Sequence, residues 1–321
     1  MKQKIVLIGH GNVGKALYEQ LSGLTQFAIA GVVVKHLEKK RNVPESLLTG
    51  NADALIEDPD VHIVLEAIDD ADAALEYARK TLELGKTYIS ASKKMIAGNL
   101  PHLHYLVRKY GGKLLFEASV GGAIPVLRTI RDHLAGEHIE RIRGIVNGSC
   151  NYILTRMAED NIEFEAALKE AQAKGFAESD PASDIDAWDS YYKAQILAYT
   201  AFGDKPDFAR VKWEGIRNVT LKDVADATAS GEKIKLVADI QRQEERFTID
   251  IRPTRIGPSD PLFHIDREYN GIIIQGKYTG PVLLQGAGAG GNPTASAMIG
   301  DLVNAPRGNF EMVRKLLLAM N

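Results

Sequence analysis

Short apolar runs rich in β-branched residues alternate with segments of helical period through roughly the first 120 residues. KIVLIG, FAIAGVVV, VHIVLEAI, TYIS and KLLFEAS carry little polar alternation and read as strands buried on both faces. Between them, VGKALYEQLSG, AALEYARKTLELG and LPHLHYLVRKYG each carry one apolar stripe and read as amphipathic helices. That alternation predicts a doubly wound parallel sheet. From about Pro125 the rhythm changes. NYILTRMAED, EFEAALKEAQAKG and DAWDSYYKAQILAYTAFG predict longer helices, and KIKLVADIQRQEERFTIDIRPTRI and NGIIIQGKYTGPVLLQG predict long strands of an antiparallel or mixed sheet. A second, α+β domain is expected there. The last 30 residues, from NPTASAM onward, predict two helices, the first with Asn292 as N-cap and Pro293 at its first position.

A length of 321 residues suits two domains, and 45% apolar with 25% charged residues is ordinary for a water-soluble enzyme. The formal net charge of −3 gives no basic face for nucleic acid, so a small molecule is the expected partner. The apolar run at the N-terminus is far too short to span a bilayer, and a cytoplasmic protein is expected, without membrane contact. Cys150 stands alone, which excludes an internal disulfide and a cysteine-rich metal site and suits a small buried residue.

GHGNVG places Gly9, Gly11 and Gly14 in G-x-G-x-x-G spacing between a predicted strand and a predicted helix. The glycines permit a tight turn and close approach of a pyrophosphate, and the helix N-terminus around Asn12 and Val13 favours the anion. The residue that would hold an adenosine ribose falls near Lys35, in VVVKHLEKKRN. An acid there would select NAD; Lys35, with Lys39, Lys40 and Arg41 behind it, suits the 2′-phosphate of NADP, with NAD as the other candidate and a solvated turn as the plain reading. A second cluster, QGAGAGGNPTASA, lets backbone approach either a cofactor or another strand. Lys93, in SASKK, follows a strand at the carboxyl edge of the sheet, where ligands bind, although a lysine there is more often a surface residue.

ESDPASDIDAWDSYYKA sets Glu178, Asp180, Asp184, Asp186 and Asp189 ahead of Lys193. Asp189 and Lys193 are four apart, in the order that favours a helical ion pair. Ile196, Leu197 and Thr200 share that face, so the ammonium is expected at a partly apolar wall. The remaining acids lack a cation in the sequence.

GHGNVG, SASKK, FEASVGGAIP, GIVNGSCNYILT, AQAKGFAESDPASDIDAWDSYYKAQILA and QGAGAGGNPTASA together resemble homoserine dehydrogenase in its short form, without a regulatory extension or fused kinase. The resemblance implies a Rossmann-type domain of residues 1–124 and 292–321, with the C-terminal helices returning to it. Residues 125–291 would form the substrate-binding, catalytic and dimerisation domain of a homodimer. It implies reversible NAD(P)H-dependent reduction of L-aspartate 4-semialdehyde to L-homoserine. Lys193 would transfer the proton, with Asp189 and Lys93 as catalytic partners. Glu178 and Asp184 would receive the substrate ammonium. Gly9, Gly11, Asn12, Val13, Gly14, Lys35, Lys93 and Gly288 would hold the cofactor. Glu117 and the backbones of Val120, Gly122 and Ile124 match a sodium site, while the residues alone make Glu117 equally a helix-capping acid. Asp180 and Asp186 are expected to be solvated or capping. Ser92 and Cys150 replace the family's usual asparagine and threonine. A non-catalytic NADP sensor would need neither Lys193 nor the acid cluster. Aspartate semialdehyde dehydrogenase needs a catalytic cysteine, and Cys150 has no histidine motif nearby.

Overall fold

The computed structural model describes residues 2–203, 211–243 and 246–305. Close packing divides them into two units, one running to Ala123 and resuming at Ala289, the other Ile124–Gly288.

The first unit opens β1 (Gln3–Ile8), α1 (Asn12–Leu21), β2 (Phe27–Val33), β3 (Leu48–Thr49), α2 (Ala52–Glu57) and β4 (Val61–Glu66). It continues with α3 (Ala71–Glu83), β5 (Thr87–Ser90), α4 (Lys93–Tyr110) and β6 (Lys113–Leu115). The strands form one parallel sheet in the order β3-β2-β1-β4-β5-β6. Chain direction across the sheet reverses between β1 and β4, which opens a crevice at their carboxyl ends. Ile5, Val6, Leu7, Val64 and Leu65 are fully buried, as central strands covered on both faces must be.

The second unit holds α5 (Val126–Arg128), β7 (Ile139–Ile145), α6 (Gly148–Asp160), α7 (Phe164–Ala173), α8 (Ala182–Ile185) and α9 (Trp188–Phe202). β8 (Val211–Trp213), α10 (Leu221–Ala229), β9 (Lys233–Gln243), β10 (Arg246–Ile256), β11 (Tyr269–Gly276) and β12 (Gly280–Ala287) follow. Its sheet runs β12-β11-β7-β9-β10-β8 and is mixed, because β8 joins β10 in parallel while the other neighbours are antiparallel. Helices α6 and α9 pack on β9. From Asp189 to Ala198 only Tyr192 of α9 is not buried, so this is a core helix with no solvated face along that stretch. Finally α11 (Gly291–Asn304) completes the first unit, where Met298 and Leu302 enter one core with Leu17 and Leu21.

Three local expectations differ from the structure. KLLFEAS is a strand only to Leu115, because the Asp301 carboxylate of α11 captures the Glu117 amide at 2.9 Å and the chain turns into a 3₁₀ segment, Glu117–Ser119. Helix α4 begins at Lys93, so Pro101 lies inside it rather than near its start. The break costs about 3 kcal/mol in an isolated helix; burial of Met95, Ile96, Ala97 and Leu100 upstream holds the helix together across it. The N-cap of α11 is Gly290 at φ +116°, not Asn292. Pro293 then sits at the third helical position, where an amide would still lack an intrahelical partner. The second predicted terminal helix lies outside the described residues. Among those described, no helix is long and apolar enough to cross a membrane.

Candidate active site

In the first unit the turn after β1 takes the shape its glycines allow. Gly9 has φ +97°, and a Cβ there would lie 2.3 Å from the Ala67 carbonyl oxygen. A Cβ on Gly14 would lie 2.2 Å from the Gly9 carbonyl oxygen, whereas Gly11 faces open space. Gly11 is the N-cap of α1 and offers no side-chain cap, which leaves the first amides, those of Asn12 and Val13, without an intrahelical acceptor. Such a terminus is an anion seat. Burial, followed by the Arg41 charge, holds the His10 imidazole below its ordinary range, so His10 is neutral and Arg41 stands near the turn. His10 Nε2 is buried without a hydrogen-bond partner among the described residues. Open space at Gly11, free amides, nearby basic charge and an unmet imidazole nitrogen together fit a dinucleotide.

The other end of the crevice is the corner after β5. Lys93 is the first residue of α4 and is half-buried. The Ser92 amide donates to Ser90 Oγ at 3.0 Å, and Ser90 Oγ donates to Glu66 Oε2 at 2.6 Å.

In the second unit the acidic stretch folds onto the start of α6. Asn147 caps that helix by accepting from the Cys150 amide at 2.8 Å. Its own amide nitrogen donates to Asp184 Oδ1 at 2.7 Å and to Asp189 Oδ2 at 2.8 Å, so one side chain gathers both carboxylates. Lys193 Nζ donates to the same Asp189 Oδ2 at 2.7 Å and to the Val146 carbonyl at 2.7 Å. Lys193 is 7% and Asp189 2% exposed. Two of the three ammonium hydrogens are thus engaged, and the third is uncommitted among the described residues. A buried, oriented ammonium with one free N–H can deliver a proton to an oxygen placed beside it. Burial, and after it the charges of Asp184 and Asp189, push the Cys150 thiol up, and its Sγ donates to the Asp184 carbonyl at 3.2 Å. Cys150 is a buried neutral thiol.

Two family models match the chain. The one described as homoserine dehydrogenase covers residues 125–303, and the one described as its NAD binding domain covers residues 9–117. The chain is similar to the homoserine dehydrogenase of Synechocystis, 35% identical over 317 residues, covering 95% of this chain and 73% of that relative. The crystal structure of a homoserine dehydrogenase from Thiobacillus denitrificans matches with a TM-score of 0.90 at 33% identity, over 95% of this chain and 73% of that one. A hyperthermophilic archaeal homoserine dehydrogenase in complex with NADPH matches with a TM-score of 0.83 at 26% identity, over 95% of this chain and 98% of that one.

The chain belongs to the homoserine dehydrogenase family. As a homoserine dehydrogenase it is an NAD(P)-dependent oxidoreductase acting on a CH–OH group.

The residues carried over from the resemblance fall in several places. Asp184, Asp189 and Lys193 come together as described. Glu178 lies on the exposed loop after α7, where its carbonyl accepts from Gln172 at 3.0 Å and its carboxylate has no partner among the described residues. Asp180 accepts from the Ala182 amide at 3.2 Å at the start of α8, as a capping acid does. Asp186, expected to be solvated or capping, is in part solvated and makes an exposed two-bond ion pair with Arg217, at 2.8 Å each. Lys35, Lys39 and Lys40 are exposed, and Arg41 is half-buried with its guanidinium donating to the Lys39 carbonyl at 2.7 Å.

The second glycine cluster is committed to packing. A Cβ on Gly288 would lie 2.0 Å from the buried Asn270 amide, and one on Gly291 would lie 2.9 Å from the Asn12 carbonyl oxygen. Glu117 and Val120 are buried and Gly122 has φ +54°, while Ile124 opens the second unit. Among the described residues no group of three or more His, Cys, Asp or Glu could hold a metal ion. Asn147 is the functional residue the sequence reading passed over. Its signal was present, an Asn-Gly directly ahead of a helical pattern, but an N-cap motif does not say which carboxylates will fold onto it.

Proposed function

We propose that this chain interconverts L-homoserine and L-aspartate 4-semialdehyde with Lys193 as the proton-transferring group. The observation that carries this is the buried Lys193 ammonium, fixed by Asp189 and the Val146 carbonyl with one N–H uncommitted among the described residues. The bound dinucleotide supplies or accepts the hydride. In the reducing direction Lys193 donates its proton to the oxygen that becomes the hydroxyl; in the oxidising direction its amine takes that proton back. Asp189 orients Lys193, and Asn147 holds Asp189 and Asp184 in place. Asp184 and the carboxylate of Glu178, which meets no partner among the described residues, receive the substrate ammonium. Lys93 serves at the cofactor side, on the edge of the first unit's sheet.

Gly9, Gly11, Asn12, Val13 and Gly14 seat the pyrophosphate, and the basic group of Lys35, Lys39, Lys40 and Arg41 selects NADP over NAD. The archaeal relative was solved with NADPH, which agrees with that preference. Glu117, with the carbonyls of Val120 and Gly122, offers the hard oxygen donors that suit a sodium ion. We further assign the chain to a cytoplasmic homodimer, in which residues 125–291 supply the dimer contacts.

Replacement of Lys193 by alanine tests the assignment. Turnover should be abolished with NADPH binding, followed by fluorescence titration, nearly intact; turnover within threefold of the parent would refute it. Calorimetric titration of NADP and NAD tests the cofactor choice. Charge-assisted contacts at a partly screened surface should favour NADP roughly five- to hundredfold at low salt. Equal affinities would mean that the basic group faces only solvent.

A further inference from the structure

Glu66 has no part in the reading above, yet it ends β4 with its side chain fully buried. Its register partner on β1 is Ile8, the residue before the Gly9 turn, and its register partner on β5 is Ser90, two residues before the N-cap of α4. Glu66 thus ends the strand that lies between the Gly9 turn and the Ser90–Lys93 corner. Oε1 accepts from the Ile68 amide at 2.7 Å, and Oε2 accepts from Ser90 Oγ at 2.6 Å. Ser90 Oγ accepts in turn from the Ser92 amide at 3.0 Å. A backbone N–H can only donate, so the Ser90 hydroxyl hydrogen is left for Glu66, and the chain from Ser92 through Ser90 to Glu66 runs one way. The Ser92 side chain does not cap α4; the Ser92 carbonyl accepts from the Ile96 amide at 3.0 Å, and this relay holds the Ser92 amide. An apolar side chain would satisfy burial at less cost, and a buried carboxyl needs a reason.

We propose that Glu66 is a positioning residue that acts through Ser90 to fix the Ser90–Lys93 corner and, with it, the cofactor end of the active site. The inference rests on the reading that Lys93 belongs to that site. Burial is the largest influence on Glu66 and Asp69 adds to it; against them work the bonds from Ser90 and the Ile68 amide, with the Tyr88 hydroxyl close by, and the group ionises at about 7. Tyr88, from β5, is itself buried and donates to the Ala74 carbonyl at 3.0 Å. On the glycine-turn side His10 is neutral. Above about pH 7, then, a carboxylate charge develops beside the turn that seats the phosphates. A like charge on the strand beside that turn, partly screened, should weaken binding roughly three- to tenfold.

The experiment compares the parent with Glu66→Gln, Ser90→Ala, Ser90→Thr and Lys93→Met. NADPH affinity is measured by fluorescence titration from pH 6 to 9, and kcat and homoserine KM are measured alongside. Parental NADPH affinity should fall several-fold as pH rises through 7. In Glu66→Gln, whose amide oxygen keeps the bond from Ile68 while its NH2 meets Ser90 Oγ with the direction of that bond reversed, that fall should disappear. Ser90→Ala should lower kcat at least about tenfold with homoserine KM within about twofold, because the substrate acids lie in the other unit, and Ser90→Thr should restore most of it. A Ser90→Ala variant with parental kcat, or a Glu66→Gln variant with the parental pH dependence, overturns the proposal. If Ser90→Ala fails to fold, Ser90→Thr and the Glu66→Gln profile decide it. A Lys93→Met variant that turns over normally overturns the site reading instead, whereas an inactive Lys93→Met beside a fully active Ser90→Ala leaves that reading standing and removes the positioning role.

Discussion

Breaking the Lys193–Asp189 pair by removing Asp189 should cost more than removing both partners. Both groups are almost completely buried, with a 2.7 Å bond between them, so Asp189→Leu leaves an ammonium with the Val146 carbonyl as its described partner. Truncating one partner of such a pair costs about 3–5 kcal/mol, because the remaining charge is desolvated without compensation. Lys193→Met should cost less, about 1–3 kcal/mol, since Asp189 keeps the Asn147 amide as a donor. In the double variant no unpaired charge remains, and two apolar side chains of similar length fill the space. Its loss should fall below that of Asp189→Leu alone, giving a coupling energy of at least about 1 kcal/mol. Urea unfolding followed by tryptophan fluorescence reads this directly, because the two tryptophans, Trp188 and Trp213, both belong to the Ile124–Gly288 unit. Single-variant losses that add to within about 0.5 kcal/mol would refute the reasoning, since only a solvated pair behaves that way.

Three further outcomes can be checked. Glu66 ionises near 7 when folded against an ordinary value of 4.5. Its contribution is therefore fully present below pH 4.5 and is lost as pH rises to 7, by roughly 3 kcal/mol. Chemical denaturation of the parent and Glu66→Gln at pH 5 and pH 8 should show the variant gaining relative stability at the higher pH, and equal differences at both would contradict the shift. Asn147→Ala should lose about 1 kcal/mol of helix capping and at least tenfold in kcat, while Asn147→Asp should keep the cap yet remain nearly inactive, because it replaces the shared donor with a third carboxylate; steady-state kinetics with thermal melts separate the two effects. Asp186→Asn removes a pair whose side chains are 37% and 56% exposed, so stability should change by less than about 1 kcal/mol and kcat by less than twofold.

Much of the first unit was legible in the chain. Continuous runs such as KIVLIG can only be strands covered on both faces, and G-x-G-x-x-G between strand and helix dictates a turn that no side chain could enter at Gly9 or Gly14. The Asp189–Lys193 spacing likewise fixed an ion pair, because helical period alone brings positions four apart together. What the sequence could not set is which distant group meets which. The short β3 and α2 carry too few residues for a period, and β6 stops at Leu115 because the Asp301 carboxylate of α11, 184 residues beyond Glu117, takes the Glu117 amide. Asp186 found Arg217 and Asn147 gathered Asp184 with Asp189 across 37 and 42 positions of chain, contacts with no local spacing to announce them. Glu66 reads in sequence as the polar end of a strand; only the adjacency of β4 and β5 buries it against Ser90. Local periodicity records what each segment must bury, whereas hydrogen bonds among buried polar groups are decided by which segments the fold sets side by side.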